Sequence, residues 1–428
     1  MTPSSTHRSR ATQRMRLAAA VLFASLAFST ACDSLLTVEN PGRVPADALD
    51  APGIAPVLQA AALQQAQCAI LQYAATAGML SGEYLSANGF VDNHIWEWRG
   101  IVEIKAAAGS CPAARATTSM GFYTPLQQAR FQLDDAARRF EAFTDVQVPN
   151  RQRYLAEMAA YAGYAYMLLA EGMCDMALDN GPKMTRAEVL AIAELRFTKA
   201  ITIATAINDA SLRNMATVGR ARTRLDLNNL TGAAADALLV PAGFVRMAEF
   251  SETTPSRENR IYNLTVRNDY LSTGPDYRGL TVNGVADPRV KVTNMNRIGA
   301  DNVTPIWQQQ KFTGSGAVGF PIASYVEAQL ILAEAVGGQG ALDAINRVRA
   351  VAGVAALAGP PSADMTPVVL EERRRQLFSE GQRYGDMLRK NIPFSPAAGA
   401  VNRKGQTFSS LTCVPLPDVE TRNNPNFK

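Results

Sequence analysis

Apolar residues recur every three or four positions over most of this chain, which is the spacing of helices that bury one face. One such stretch covers Ile54–Met79. Gln127–Phe140 follows, with Phe131, Leu133 and Ala137 on its stripe, and then Tyr154–Met173, carrying Leu155, Met158, Tyr161, Ala165, Leu168 and Leu169. Glu194–Ile207 and Ala216–Leu230 continue the pattern, with Gly232 as a stop signal for the second. The connections are short, so the helices read as antiparallel pairs of the tetratricopeptide kind. The period then disappears between about 244 and 320, where Arg, Asn, Thr, Gly and Tyr dominate and short extended runs occur at Arg260–Val266 and Arg289–Thr293. It returns at Ile322–Ala335, Ala341–Val351 and Pro367–Arg389, ahead of an irregular tail from Asn391. Ser81–Arg99 has several large aromatics and no helical period, and reads as a loop or lobe. The expectation is a mainly α fold: a scaffold of helical pairs over about 54–240 and 321–390, split by an irregular, loop-rich insertion over about 244–320.

The first residues follow another logic. Arginines up to Arg16 precede an apolar run, Leu17–Phe28, too short for a mature bilayer-spanning helix. Ser29, Thr30 and Ala31 then lead to Cys32, as in a lipobox whose cysteine receives lipid, although Ser29 stands where Leu, Val or Ile is usual. This gives a signal peptide over 1–31, a lipid-anchored tether over 32–53 rich in Pro, Gly and Asp, and a single domain over 54–428. No later run reads as a membrane-spanning helix. The formal charge of +4 includes four leader arginines, so the mature chain is neutral and offers no electrostatic case for nucleic acid. Besides Cys32 there are Cys68, Cys111, Cys174 and Cys413, an even number that in an exported chain permits two disulfides. Of the three connectivities, Cys68–Cys111 with Cys174–Cys413 is favoured: it closes one N-terminal excursion and pins the C-terminal tail to a helix end.

Catalytic chemistry finds little support. His94 is the only histidine outside the leader, and no GxSxG, HExxH or Walker A pattern occurs. Neither CxxC pairs nor a DxDxDG loop suggests zinc or calcium, and no cofactor is expected. A glycosidase built on two carboxylates stays open as an alternative.

Three C-terminal segments carry a resemblance. Pro321–Ala328, closing on Leu332-Ala333-Glu334-Ala335, is the first. Ala344–Ala350 with Ala352-Gly353-Val354 is the second, and Glu372–Leu377 with Glu380-Gly381, Arg383, Asp386 and Arg389 is the third. In this order they resemble the SusD/RagB family of outer-membrane nutrient-binding lipoproteins. Cys32-Asp33 with Asn40-Pro41, Asp287-Pro288-Arg289 and the closing Val414-Pro415-Leu416-Pro417 match more weakly. Departures are Gln376 at a carboxylate position, and Ser379 and Gly385 where bulkier aromatics are usual. In the third segment Leu370, Leu377, Gly381, Tyr384 and Leu388 share one helical face, while Glu371–Arg375 and Glu380–Arg383 are spaced to pair. So many arginines would depress carboxylate pKa values, which suits a structural network better than a general acid.

The resemblance implies a non-enzymatic protein on the outer membrane, facing the cell surface. It would capture an oligosaccharide or a peptide and deliver it to a SusC-like TonB-dependent transporter. A lipid-anchored periplasmic interaction scaffold is the alternative. Recognition of sugar rings needs aromatic faces edged by hydrogen-bonding groups. Tyr84, Asn93, His94, Trp96 and Trp98 in the first lobe, and Tyr277 and Trp307 in the insertion, are the candidate ligand-binding residues.

Overall fold

In the computed structural model, the structure describes residues 47–111, 120–422 and 424–427. The leader, Cys32 and most of the tether lie outside the described residues. Asp47–Asp50 form a 3-10 turn, and Pro52–Lys428 form one body.

That body begins with helix α1 (Ala55–Leu80), every residue of which is buried from Cys68 onward. By length and apolar composition α1 could cross a membrane, contrary to the expectation above that no run after the leader has this character. Here it is a core helix with Tyr73 and Leu71 at its centre. Strand β1 (Tyr84–Ser86) and the short helices α2 (Val91–Glu97) and α3 (Glu103–Ala106) follow, so the expected first loop is largely ordered secondary structure.

The pair scaffold is α4 (Tyr123–Ala142), α5 (Arg151–Gly172), α6 (Arg186–Ala206), α7 (Ala210–Asp226) and α8 (Leu230–Leu238), each packed on the next. On α4 the buried ladder is Leu126, Ala129, Leu133, Ala136 and Phe140, which leaves Phe131 exposed rather than on the stripe. Phe197 of α6 lies against Gly163 of α5 and Gly219 of α7, where a Cβ would come within 2.7 and 2.4 Å of its ring. A capping box between Thr185 and Glu188 begins α6 eight residues before the expected start at Glu194. The single helix expected over Ala216–Leu230 is two. Asn228 turns the chain in the left-handed region, and Asn229 caps the next helix by accepting from Gly232 N–H, so Gly232 helps to start a helix rather than to end one.

After α8 the chain enters the insertion through β2 (Val245–Ala248). It returns through β8 (Phe320–Ser324), antiparallel to β2 with Val245 opposite Ser324. The neck is therefore a two-stranded ladder. Helix α9 (Tyr325–Val336) resumes on α8, as if the insertion were absent from the stack. Inside the insertion, β3 (Leu271–Thr273) pairs with β1, β4 (Thr281–Val282) with β5 (Val285–Ala286), and β6 (Val292–Ile298) with β7 (Pro305–Gln309). Arg260–Val266 is helical, not extended: Asn259 caps the turn Arg260–Tyr262, which continues as a π turn over Asn263–Arg267. Helices α10 (Gly338–Val351), α11 (Thr366–Gln376) and α12 (Gln382–Lys390) complete the stack.

The single helix expected over Pro367–Arg389 breaks between α11 and α12. Ser379 and Gly381 both take positive φ there, and a Cβ on Gly381 would lie 2.5 Å from Ala74 Cα on α1. Two disulfides close the body. Cys68–Cys111 spans Cα atoms 5.8 Å apart, and Cys174–Cys413 ties the tail to the C-terminal end of α5.

Buried charge separates two pH ranges. Burial would raise the Asp386 carboxyl, but Arg373 and Arg389 hold it down at about 2. Burial pushes Glu83 and Glu327 up to about 7, only partly offset by the Ser379 amide and by Arg222 respectively. The Asp386 contribution is present above its ordinary range and is lost as pH falls towards 2. The glutamate contribution is full below the ordinary carboxylate range and is lost as pH rises through 7. The expected outcome is a melting temperature that declines from about pH 4.5 to about pH 7 and falls again in strong acid, with Glu83→Gln flattening the neutral-side decline. Scanning calorimetry across pH checks it; an identical slope in Glu83→Gln contradicts it.

Candidate functional site

The residues singled out from sequence gather where three distant parts of the chain meet: β1 to α2, the insertion strands, and the tail over 396–409. Tyr84 is fully buried and donates to Ser379 Oγ at 2.6 Å; a Cβ on Gly78 would touch its ring at 2.6 Å. Trp96 is fully buried beside Phe122, with centroids 6.1 Å apart. Asn93 is buried against Asn88.

His94 is buried too. Its Nε2 lies 2.5 Å from the Asn88 carbonyl oxygen and 3.0 Å from Lys404 Nζ. A carbonyl can only accept, so Nε2 carries the proton, and Lys404 directs its hydrogens to the Ser86 carbonyl and to Asp301. Burial, reinforced by the Lys404 charge, holds the His94 pKa below its ordinary value. Arg403 crosses the same joint, donating to Glu97, Thr304 and the Ser86 carbonyl. Tyr277 is buried and stacked on Phe378 at 5.0 Å.

Five of the seven candidates are therefore interior groups. The stretch from Tyr84 to Trp98 is not an open lobe, because strand pairing with β3 and the tail residues Arg403 and Lys404 cover it. Trp96 lies on α2 and Trp98 caps its C-terminal end, so this part of the stretch is helical rather than a loop. Trp98 is half-buried and folded back on Gly100, where a Cβ would lie 1.7 Å from the ring. Its indole Nε1 is buried with no partner among the described residues.

Trp307 sits on β7, half-buried like Trp98, with its amide donating to Ser272 Oγ at 2.9 Å. Asn294, exposed on β6, stands directly opposite it, and directly opposed residues of an antiparallel pair share one face. The Arg278 guanidinium lies 5.0 Å from the indole centroid and is fixed by two hydrogen bonds to the Thr273 carbonyl. Burial, with help from nearby Arg403, lowers the Arg278 pKa, yet it stays a cation. Next to β3, Tyr270 meets the exposed Phe90 edge-on at 5.8 Å. The site is a flat, partly open aromatic surface bordered by an amide and a guanidinium. Among the described residues no group of three His, Cys, Asp or Glu is placed to hold a metal. Arg403 and Lys404 were missed from sequence; the Asn402-Arg403-Lys404-Gly405 turn in an otherwise uncharged stretch was the available signal.

Residues 246–426 match the sequence model of the SusD family. No curated protein matches the chain. Solved structures do. A laminarin-binding SusD-like protein superposes with a TM-score of 0.64 at 14% identity, covering 86% of this chain and 98% of that one. A SusD-like carbohydrate-binding protein from Bacteroides vulgatus gives 0.65 at 14% identity, covering 88% and 97%. Surface glycan-binding protein A from Bacteroides uniformis gives 0.62 at 15% identity, covering 86% and 98%. At such identities the likeness establishes the fold.

Burial separates the two tryptophans that the sequence treated alike. Trp96→Ala should cost about 3–5 kcal/mol in denaturant unfolding, whereas Trp307→Ala should cost about 1 kcal/mol or less. Equal losses would contradict the placement.

Proposed function

We propose that this SusD/RagB-family protein is a glycan-binding lipoprotein of the outer membrane, anchored through Cys32 and passing its ligand to a SusC-like TonB-dependent transporter. The observation that carries the binding reading is the half-buried Trp307, on an exposed ladder, with Asn294 beside it and Arg278 across it. A sugar ring presents an axial C–H face that packs on an indole, while its hydroxyls need donors and acceptors at the edge. Asn294 offers both, and the unused guanidinium hydrogens of Arg278 offer donors. Family membership over residues 246–426 and neighbours described as laminarin- and glycan-binding favour a saccharide over a peptide. The export and lipidation signals of the first 32 residues support the anchor and the location, and the transporter partner follows from the family resemblance. Binding and transfer need no bond-making step.

Titration calorimetry of the intact chain with neutral oligosaccharides, laminarin fragments among them, tests this reading. Saturable binding is expected, weakened about tenfold or more by Trp307→Ala, which is about 1.4 kcal/mol. Absence of saturable binding to any glycan, or binding indifferent to Trp307, would overturn it.

A further inference from the structure

Beside Tyr277, the break between α11 and α12 opens on a cavity of about 380 Å³. Arg374, Arg383, Asp276, Tyr277, Met387 and Pro393 are among its walls. The arginines around it are committed. Arg373 is bound to Asp386, Arg375 to Glu371 and Asp287, and Arg389 to Glu334 and Asp386. Arg374 donates twice to Glu371 and once to the Asp276 carbonyl.

Arg383 is the exception. The sequence pairs it with Glu380, but Glu380 is taken by Lys311 Nζ at 2.6 Å, and Arg383 has neither an ion pair nor a side-chain hydrogen bond among the described residues. Glu83 lies behind it, fully buried, with one oxygen accepting from the Ser379 amide. Tyr277 is buried beside the cavity, with its ring centroid 5.0 Å from the Arg374 guanidinium. An unpaired guanidinium on a cavity is a donor group without its acceptor.

We propose that this cavity is a subsite for a carboxylate, taken up as the uronic acid group of an acidic saccharide. The planar fork of Arg383 suits the two carboxylate oxygens. Met387 and Pro393 supply apolar walls for the sugar ring. Asp276, exposed at the rim with no side-chain partner among the described residues, is the acidic residue among the lining groups, with Glu83 buried behind Arg383. It disfavours any anion that does not reach Arg383. The uronate assignment rests on the glycan reading above, whereas the carboxylate subsite itself rests only on the cavity.

The test is titration calorimetry of the full chain with trigalacturonic acid and with its methyl ester, the same sugar without charge. The acid should bind saturably and about tenfold or more tighter than the ester. Arg383→Gln should erase that preference, and Asp276→Asn should sharpen it about two- to fivefold. Arg138→Gln, which removes an exposed arginine paired with Asp135, should leave it unchanged. Because Arg383 holds no ion pair, Arg383→Gln should melt with wild type, so loss of preference is not loss of fold. Equal affinity for acid and ester, a preference that survives Arg383→Gln, or capture of a short peptide's carboxylate in place of the uronate would overturn the proposal. If neutral glycans bind through Trp307 without any acid preference, this inference fails alone. If the acid preference holds while Trp307→Ala changes nothing, the aromatic platform fails and the subsite stands.

Discussion

Arg373 and Asp386 meet in a bidentate pair at 2.8 and 2.9 Å where neither side chain reaches water, and the architecture around them is arranged to keep that pair satisfied. From Asp386 the charge runs to Arg389, then to Glu334 on α9 and Asp226 on α7. From Glu372, the neighbour of Arg373, it runs to Arg349 on α10 and to Arg289 in the insertion, which also grips Asp287. A parallel link joins Arg222 of α7 to Glu171 of α5 at 2.6 Å. Helices from both sides of the insertion and the insertion itself are thus tied by groups that cannot be left unpaired. Replacing a whole buried ion pair by apolar residues can be neutral, but removing one partner costs about 3–5 kcal/mol because the other charge stays buried. Such a network specifies which helix faces which, and through Glu334, Arg389 and Asp226 it draws α9 back beside α7 after some eighty residues spent elsewhere.

The network also shows what could be read from sequence. Glu371 and Arg375 pair as their spacing suggests, at 2.6 Å, and the arginine-rich segment is structural as its charge implies. Glu380 and Arg383 were equally well spaced, yet they do not pair. The chain leaves the helix at Leu377, and Lys311, from seventy residues earlier, reaches Glu380 first. Spacing predicts a pair only while the helix lasts. The amphipathic helices α4 and α10 were legible for the opposite reason, since their buried faces are set by neighbours at three- and four-residue intervals, whereas α1 and α5, buried nearly all round, were legible as long apolar runs. Asn228 hid the α7–α8 break because a left-handed Asn is a matter of backbone geometry, which composition shows poorly.

The site divided along the same line. Trp96, Trp98 and Trp307 look alike as aromatic residues in polar stretches, and local sequence gives no reason to bury one and leave another open. What buries Tyr84 to Trp96 is the pairing of β1 with β3 and the covering by Arg403 and Lys404, some three hundred residues away. What leaves Trp307 partly accessible is its place on a ladder whose other strand, β6, is largely exposed. The two proposed sites both lie on surfaces that the charge network positions but does not consume. Trp307 and Arg383 are both of that kind: one an aromatic face, the other a cation, each held in place by residues that have partners of their own.

The chain has three tryptophans, which makes one spectrum decisive. Fluorine NMR of the protein carrying 5-fluorotryptophan, titrated with a neutral oligosaccharide that binds it, reports each indole separately once Trp→Phe variants assign the signals. The Trp307 resonance should move with ligand while the Trp96 resonance stays fixed. A ligand-dependent shift at Trp96 with Trp307 unmoved would contradict the account, because it would place recognition in the interior of the body rather than on the open face of the insertion.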